Sequence, residues 1–226
     1  PTLQFKGKNI IWNHHLSIPY HTLDEVEKLH FKPEKADGNL IIEGDNLLAL
    51  KALLPQYAGK VKCIYIDPPY NTGNEGWVYN DNVNSPMLKE WLGKEVGKDD
   101  LTRHDKWLCM MVPRLKLLRE LLADDGAIFI SMDDTEQHKI RTLLDEIFLE
   151  ENFIANIMWQ KRTSPDNRII LGDAHEFIIC YAKNQSQFRN ILKKLELTEE
   201  QIQQFKNPDN DPRGHWVSSD FTAQGY

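Results

Sequence analysis

The sequence predicts an α/β protein built on an open, mostly parallel sheet with helices on both faces. Three observations carry that expectation. Short apolar, β-branched runs alternate with segments whose apolar residues recur at helical spacing. The most continuous run, residues 61–66, closes on Asp67-Pro68-Pro69, as a buried parallel strand ending in a loop does. Of the 226 residues, 41% are hydrophobic and 27% charged, a balance that excludes both a disordered chain and a fibre.

The first 36 residues read as an amino-terminal extension, with His14 and His15 at the surface. Residues 39–42 read as a short buried strand, and Leu47, Leu48, Leu50, Leu53 and Leu54 then follow helical spacing until Pro55 stops them. Residues 61–66 are placed centrally in the sheet. Residues 71–103 are rich in Gly, Asn and Asp, with Trp77, Tyr79 and Trp91 scattered through them; a segment this long without periodicity reads as a lid-like insertion.

Leu108, Met111, Leu115, Leu118 and Leu122 mark one face of a long helix that Pro113 should kink. Residues 127–132 form another buried strand, after which Asp134 caps a helix, with Gln137 three residues on and Ile140, Leu143, Leu144 and Ile147 as its stripe. Residues 153–159 and 176–182 are two further strands, paired as an antiparallel edge. From residue 184 the pattern weakens into an amphipathic stretch, 188–205, and a tract rich in Pro, Asp and Asn.

No run approaches the roughly 18 apolar residues of a membrane span, and the start lacks a signal peptide's layout, so the cytoplasm is the default expectation. Cys63, Cys109 and Cys180 lie singly in apolar runs and read as buried free thiols; no metal site is expected. The net charge of −7 opposes a general phosphate-binding surface, although residues 101–119 hold five basic side chains against one acid.

The sharpest chemical signal is Asp67-Pro68-Pro69-Tyr70, a string that chance supplies roughly once in a thousand chains of this length. An aromatic amine attacks poorly while its lone pair is delocalised, and acceptors aimed at its hydrogens favour a more tetrahedral nitrogen. Asp67 offers a carboxylate, and the rigid prolines hold a backbone carbonyl beside it without a competing N–H. Tyr70 offers a flat face for a base that has left the duplex, stacking being worth roughly 1–3 kcal/mol. A core tyrosine and a plain proline turn are the bland alternatives. In an open sheet both Asp45 and Asp67 fall at strand ends, where ligands bind. Asp45 also suits a helix cap.

Extended to Asn71-Thr72-Gly73, the motif resembles the catalytic motif of DNA amino-methyltransferases that modify adenine. Ile42-Glu43-Gly44-Asp45-Asn46-Leu47, Gly59-Lys60-Val61 before Tyr65-Ile66-Asp67, the stretch from Trp107 to Leu122, and Gly126-Ala127-Ile128-Phe129-Ile130-Ser131-Met132-Asp133-Asp134 are similar to the beta group, as in the modification subunits of type III restriction-modification systems. The resemblance implies a Rossmann-like methyltransferase fold, permuted and incomplete, with a catalytic core at residues 37–183. Residues 184–226 then begin a target-recognition region or linker.

It further implies S-adenosylmethionine as cofactor, with Asp45, Asn46 and Asp67 at its site. Asp67, Pro68, Pro69 and Tyr70 would hold the target adenine, and Asn71 and Thr72 would meet the DNA; Lys161 and Arg162, beside Trp159 in a polar connector, read either as a DNA contact or as an ordinary solvated loop. Double-stranded DNA with a flipped base is the implied partner; a homodimer and a restriction subunit stay open. No Gly-x-Gly occurs among the 12 glycines, so the family's glycine turn is not in this sequence. Two rivals remain: a cytosine N4 methyltransferase, and a noncatalytic DNA-binding or assembly fragment.

Overall fold

The structure, a computed structural model, describes residues 2–30, 38–73, 102–163, 174–193 and 196–217. In chain order these residues form α1 (Lys8–Ile11), α2 (His14–Ser17), a 3-10 turn (Glu27–Leu29), α3 (Asn46–Tyr57), β1 (Val61–Ile66), α4 (Arg103–Leu121) and β2 (Leu122–Met132). There follow α5 (Gln137–Phe148), a 3-10 turn (Glu150–Asn152), β3 (Phe153–Gln160), β4 (His175–Ala182), α6 (Gln185–Ile191) and α7 (Glu199–Gln204). The four strands make one open sheet in the order β1-β2-β4-β3.

β1 and β2 run parallel, and a parallel pair needs a crossover, which α4 provides. β4 lies antiparallel to both β2 and β3, so the sheet is mixed over the described strands. The expected antiparallel pair is present, with β3 outermost. One consequence matters for function: the carboxyl ends of β1, β2 and β3 share a rim with the amino end of β4, where Met132 pairs with Phe177 and Trp159 with Glu176.

Side chains alternate across the sheet as the two-residue period demands. Ile128, Ile130 and Met132 of β2, with Ile179 and Tyr181 of β4, join the large core beneath α4 and α5. Ala127, Cys180 and Ala182 face the other way, against Phe188 of α6. Helices therefore cover both faces. The expected stripe of α5, Ile140, Leu143, Leu144 and Ile147, is buried throughout, and each such side chain contributes about 1.5–3 kcal/mol. Gly126 sits where the β1–β2 register shifts; a Cβ there would come within 2.7 Å of the Val61 carbonyl oxygen, so only glycine lets the strands close up.

Several expectations need correction. Residues 39–42 are not a strand: Leu40 and Ile41 are exposed, because β1 is the edge of the described sheet and no described strand lies beyond it to bury them. Among the described residues β1 is therefore an edge strand, not a central one. α3 runs through Pro55, which sits in its last turn; the Ala58 N–H closes that turn on the Leu54 carbonyl at 3.0 Å. Asp134 does not cap α5. The Asp133 carboxylate instead accepts the Thr135 N–H at 2.9 Å, and the helix starts one turn later.

The amino-terminal residues are no separate extension, since Ile11 and Ile18 enter the main core and α1 and α2 pack on α4. His14 and His15 are buried there instead of lying at the surface. Cys109 and Cys180 are buried free thiols, whereas Cys63 is exposed on the β1 edge. Pro1–Ile191 form one compact unit, so α6 belongs with the sheet. Leu192–Tyr226 form a second, in which α7 precedes a two-residue bridge between Lys206 and Trp216. Most of the expected lid, with Trp77, Tyr79 and Trp91, lies outside the described residues.

Burial sets a pH window for stability. The thiols of Cys109 and Cys180 are each pushed up from 9.0 to about 12, by burial first and then by Asp105 and Cys63 respectively. The unfolded chain releases these protons at lower pH than the folded one, so stability falls as pH rises above about 9. His15 is pushed down from 6.5 to about 4, by burial first and then by Lys116 and Lys51. Below about 6.5 the unfolded chain binds a proton that the folded chain refuses, and stability falls again. Urea midpoints measured against pH should therefore peak between these limits; a midpoint still climbing above pH 9 contradicts the assignment of the thiols.

Candidate active site at one rim of the sheet

The turn that follows β1 is held from below. Trp107, fully buried on α4, donates its indole N–H to the Pro69 carbonyl at 2.6 Å. That oxygen is thereby taken. Among the described residues nothing donates to the Pro68 carbonyl, and Asp67 beside it is exposed at the rim. Asp67 also stands beside the Tyr70 hydroxyl.

Tyr70 is half-buried and packs against the main core, so it is no freely swinging plate. Its hydroxyl donates toward Glu176 Oε2 at 3.5 Å. Burial first, then the charges of Asp67 and Glu176, hold the phenol protonated well above its ordinary value of 10.0. The ring is fixed in orientation, and the hydroxyl stays a donor at neutral pH.

Glu176 joins two expected site residues. Its other oxygen accepts from Lys161 Nζ at 2.8 Å, so Tyr70 and Lys161 are gathered around one carboxylate. Arg162 follows, exposed, its backbone N–H on the Ala174 carbonyl at 3.2 Å. Thr72 is half-buried in the turn. Asn71 departs from expectation: it is fully buried, and its amide donates to Glu136 Oε1 at 2.5 Å. A side chain so enclosed holds the turn.

Asp45 caps α3, one carboxylate oxygen accepting the N–H groups of Leu47 and Leu48 at 2.8 and 3.2 Å. Its second oxygen is unbonded among the described residues, and the residue is exposed. Asn46 accepts from Arg114 Nε at 2.8 Å. Arg114 and Trp107 are seven residues apart on α4, two turns or about 10 Å along one face. The same helix thus braces the Asp45–Asn46 loop and the Pro69 loop. Among the described residues, no three acidic, histidine or cysteine side chains cluster as metal ligands would, and no helix is long and apolar enough to cross a membrane.

Sequence reasoning missed Glu176, Glu136 and the role of Trp107. Glu176 had a signal, a charge at the start of an otherwise apolar strand. Glu136 had none, because a carboxylate ahead of a helix reads as an ordinary helix start.

Comparison with known proteins settles the family. A family model described as DNA methylase matches residues 61–224. The chain belongs to that family. Among curated DNA methylase relatives, the type III restriction-modification enzyme EcoP15I Mod subunit of Escherichia coli is 40% identical over 186 residues, covering 76% of this chain and 28% of its own length. The EcoPI Mod subunit of Escherichia phage P1 is 38% identical over 221 residues, covering 90% of this chain and 33% of its own. The chain spans about a third or less of the length of these relatives. A solved putative DNA modification methylase from Thermus thermophilus aligns with 72% of this chain and 60% of its own, at 16% identity and a TM-score of 0.39.

Proposed function

We propose that the protein carrying this chain transfers a methyl group from S-adenosylmethionine to the exocyclic N6 amine of adenine in DNA, as the modification component of a restriction-modification system. One observation supports this above the rest: at the rim the Asp67 carboxylate is exposed and, among the described residues, nothing donates to the Pro68 carbonyl, while the neighbouring Pro69 carbonyl is occupied. An amine with two hydrogens needs two acceptors of this kind.

Asp67 and Pro68 draw the amine's hydrogens toward themselves and so localise its lone pair for attack. The Tyr70 ring, fixed by its packing and by Glu176, offers a face on which the extrahelical base stacks. When bound, the cofactor supplies a methyl group activated by its positive sulfur. Asp67, which accepts from the amine, is the base offered for the proton that the methylated nitrogen must lose. The second oxygen of Asp45 fits the adenine end of the cofactor, with Asn46 held beside it by Arg114. Thr72, Lys161 and Arg162 stand for DNA contact; Asn71 is withdrawn from that set.

The names of the relatives support the assignment to a restriction-modification system. Incubating the full-length protein with labelled cofactor and unmethylated DNA, then digesting to nucleosides, tests the proposal. N6-methyladenine is the expected product. N4-methylcytosine would replace the base assignment, and label-free DNA would leave the noncatalytic alternative.

A further inference from the structure

We infer that Glu136 is the positioning residue of the active-site turn, acting through Asn71. Glu136 is fully buried at the start of α5, where a carboxylate is costly unless it is paired. Two other segments reach it, and its own helix adds a cation. Asn71 donates to Oε1 from the motif turn at 2.5 Å, the His104 ring meets the same oxygen from the first turn of α4, and Lys139 Nζ lies 3.4 Å from Oε2.

The geometry at Asn71 shows what this contact does. Asn71 is in the left-handed region at φ 61°, a conformation that a non-glycine residue keeps only when its surroundings hold it. It directly follows Tyr70, and Pro69 just before is pinned by Trp107. His104 and Trp107 lie three residues apart, on the same side of α4. Glu136 and Trp107 therefore clamp the turn at two successive points, one through a side-chain amide and one through a backbone carbonyl. The carboxylate touches neither Asp67 nor the Tyr70 hydroxyl, so it acts by placing them.

This inference rests on the reading of Asp67 to Tyr70 as the methyl-transfer site, and its test separates the two. In the full-length protein, Glu136→Leu should lower kcat by about 10²-fold, with KM for DNA and cofactor changed by less than about threefold, because misplacing reacting groups by an ångström costs rate more than binding. Glu136→Gln keeps an acceptor for Asn71 and should remain within about fivefold of the parent. Asn71→Gly keeps the left-handed turn but deletes the bond, and should match Glu136→Leu; it also serves if the leucine variant fails to fold.

A second readout is independent of activity. Solvent exchange of the Trp107 indole N–H, followed by NMR, should quicken by about tenfold or more in Glu136→Leu and Asn71→Gly, and stay unchanged in Glu136→Gln. Parental kcat in Asn71→Gly, or unchanged indole exchange in it, overturns the positioning role. A parent protein that transfers no methyl group overturns the functional proposal instead, and the indole exchange alone then decides the inference.

Discussion

Replacing Asp67 with alanine should lower methyl transfer by about 10²- to 10³-fold or more while leaving the protein folded. Both halves follow from position. Asp67 is exposed at the end of β1, outside the core, so its removal opens no cavity. Its work lies in accepting hydrogen bonds from a nitrogen that becomes more tetrahedral as it reacts, an interaction stronger in the transition state than before it. kcat should therefore fall more than the affinity for DNA.

Asp67→Asn refines the test. The amide keeps an acceptor oxygen but has no charge and no capacity to take up a proton, so the rate should recover only in part. The same change removes one of the charges that keep the Tyr70 phenol protonated, so the phenol should titrate at lower pH than in the parent. A Tyr70 titration unaffected by Asp67→Asn would place the carboxylate away from the ring. An alanine variant with the parent's kcat would remove Asp67 from the reaction altogether.

How much of this was legible beforehand depended on whether the signal was local. The strand at residues 61–66 was readable because an apolar run broken by two prolines can be little else, and the α5 stripe because four residues at helical spacing define a face. What failed depended on neighbours. Residues 39–42 have a strand's composition but no described strand beside β1 to bury them, and β1 itself lies at the edge for the same reason. His14 and His15 look like surface residues until α4 is packed over them.

The site divided along the same line. Asp67 and Tyr70 could be picked out as candidates because they fall within one four-residue string, and Asp45 because a carboxylate before a helical run reads as a cap. Glu176 carried only the signal of a charge at the start of an apolar strand, and the rule that ligands gather at the carboxyl ends of strands points away from it. It enters the rim only because β4 runs antiparallel, bringing its amino end beside the carboxyl ends of β1 and β2. Asn71 was assigned outward because it continues a motif, but polar residues in motifs hold loops as often as they touch ligands.

Trp107 offers the other large effect, since one side chain serves both the core and the turn. Truncation to alanine removes a fully buried indole and should destabilise the protein by about 3–5 kcal/mol, read from urea unfolding. Trp107→Phe retains most of the apolar ring and deletes the donor. Its stability cost should be smaller, because the Pro69 carbonyl belongs to an exposed residue and can turn to water for its hydrogen bond. Its catalytic cost should not be. A Pro69 carbonyl freed from the indole competes with the Pro68 carbonyl for the same amine, and the turn loses one of its two clamps. kcat should then fall by about 10- to 100-fold with the fold intact, as expected when reacting groups drift by an ångström or less. A phenylalanine variant that loses stability but keeps the parent's kcat would mean that Trp107 is only a core residue, and that the turn is held by Asn71 and Glu136 alone.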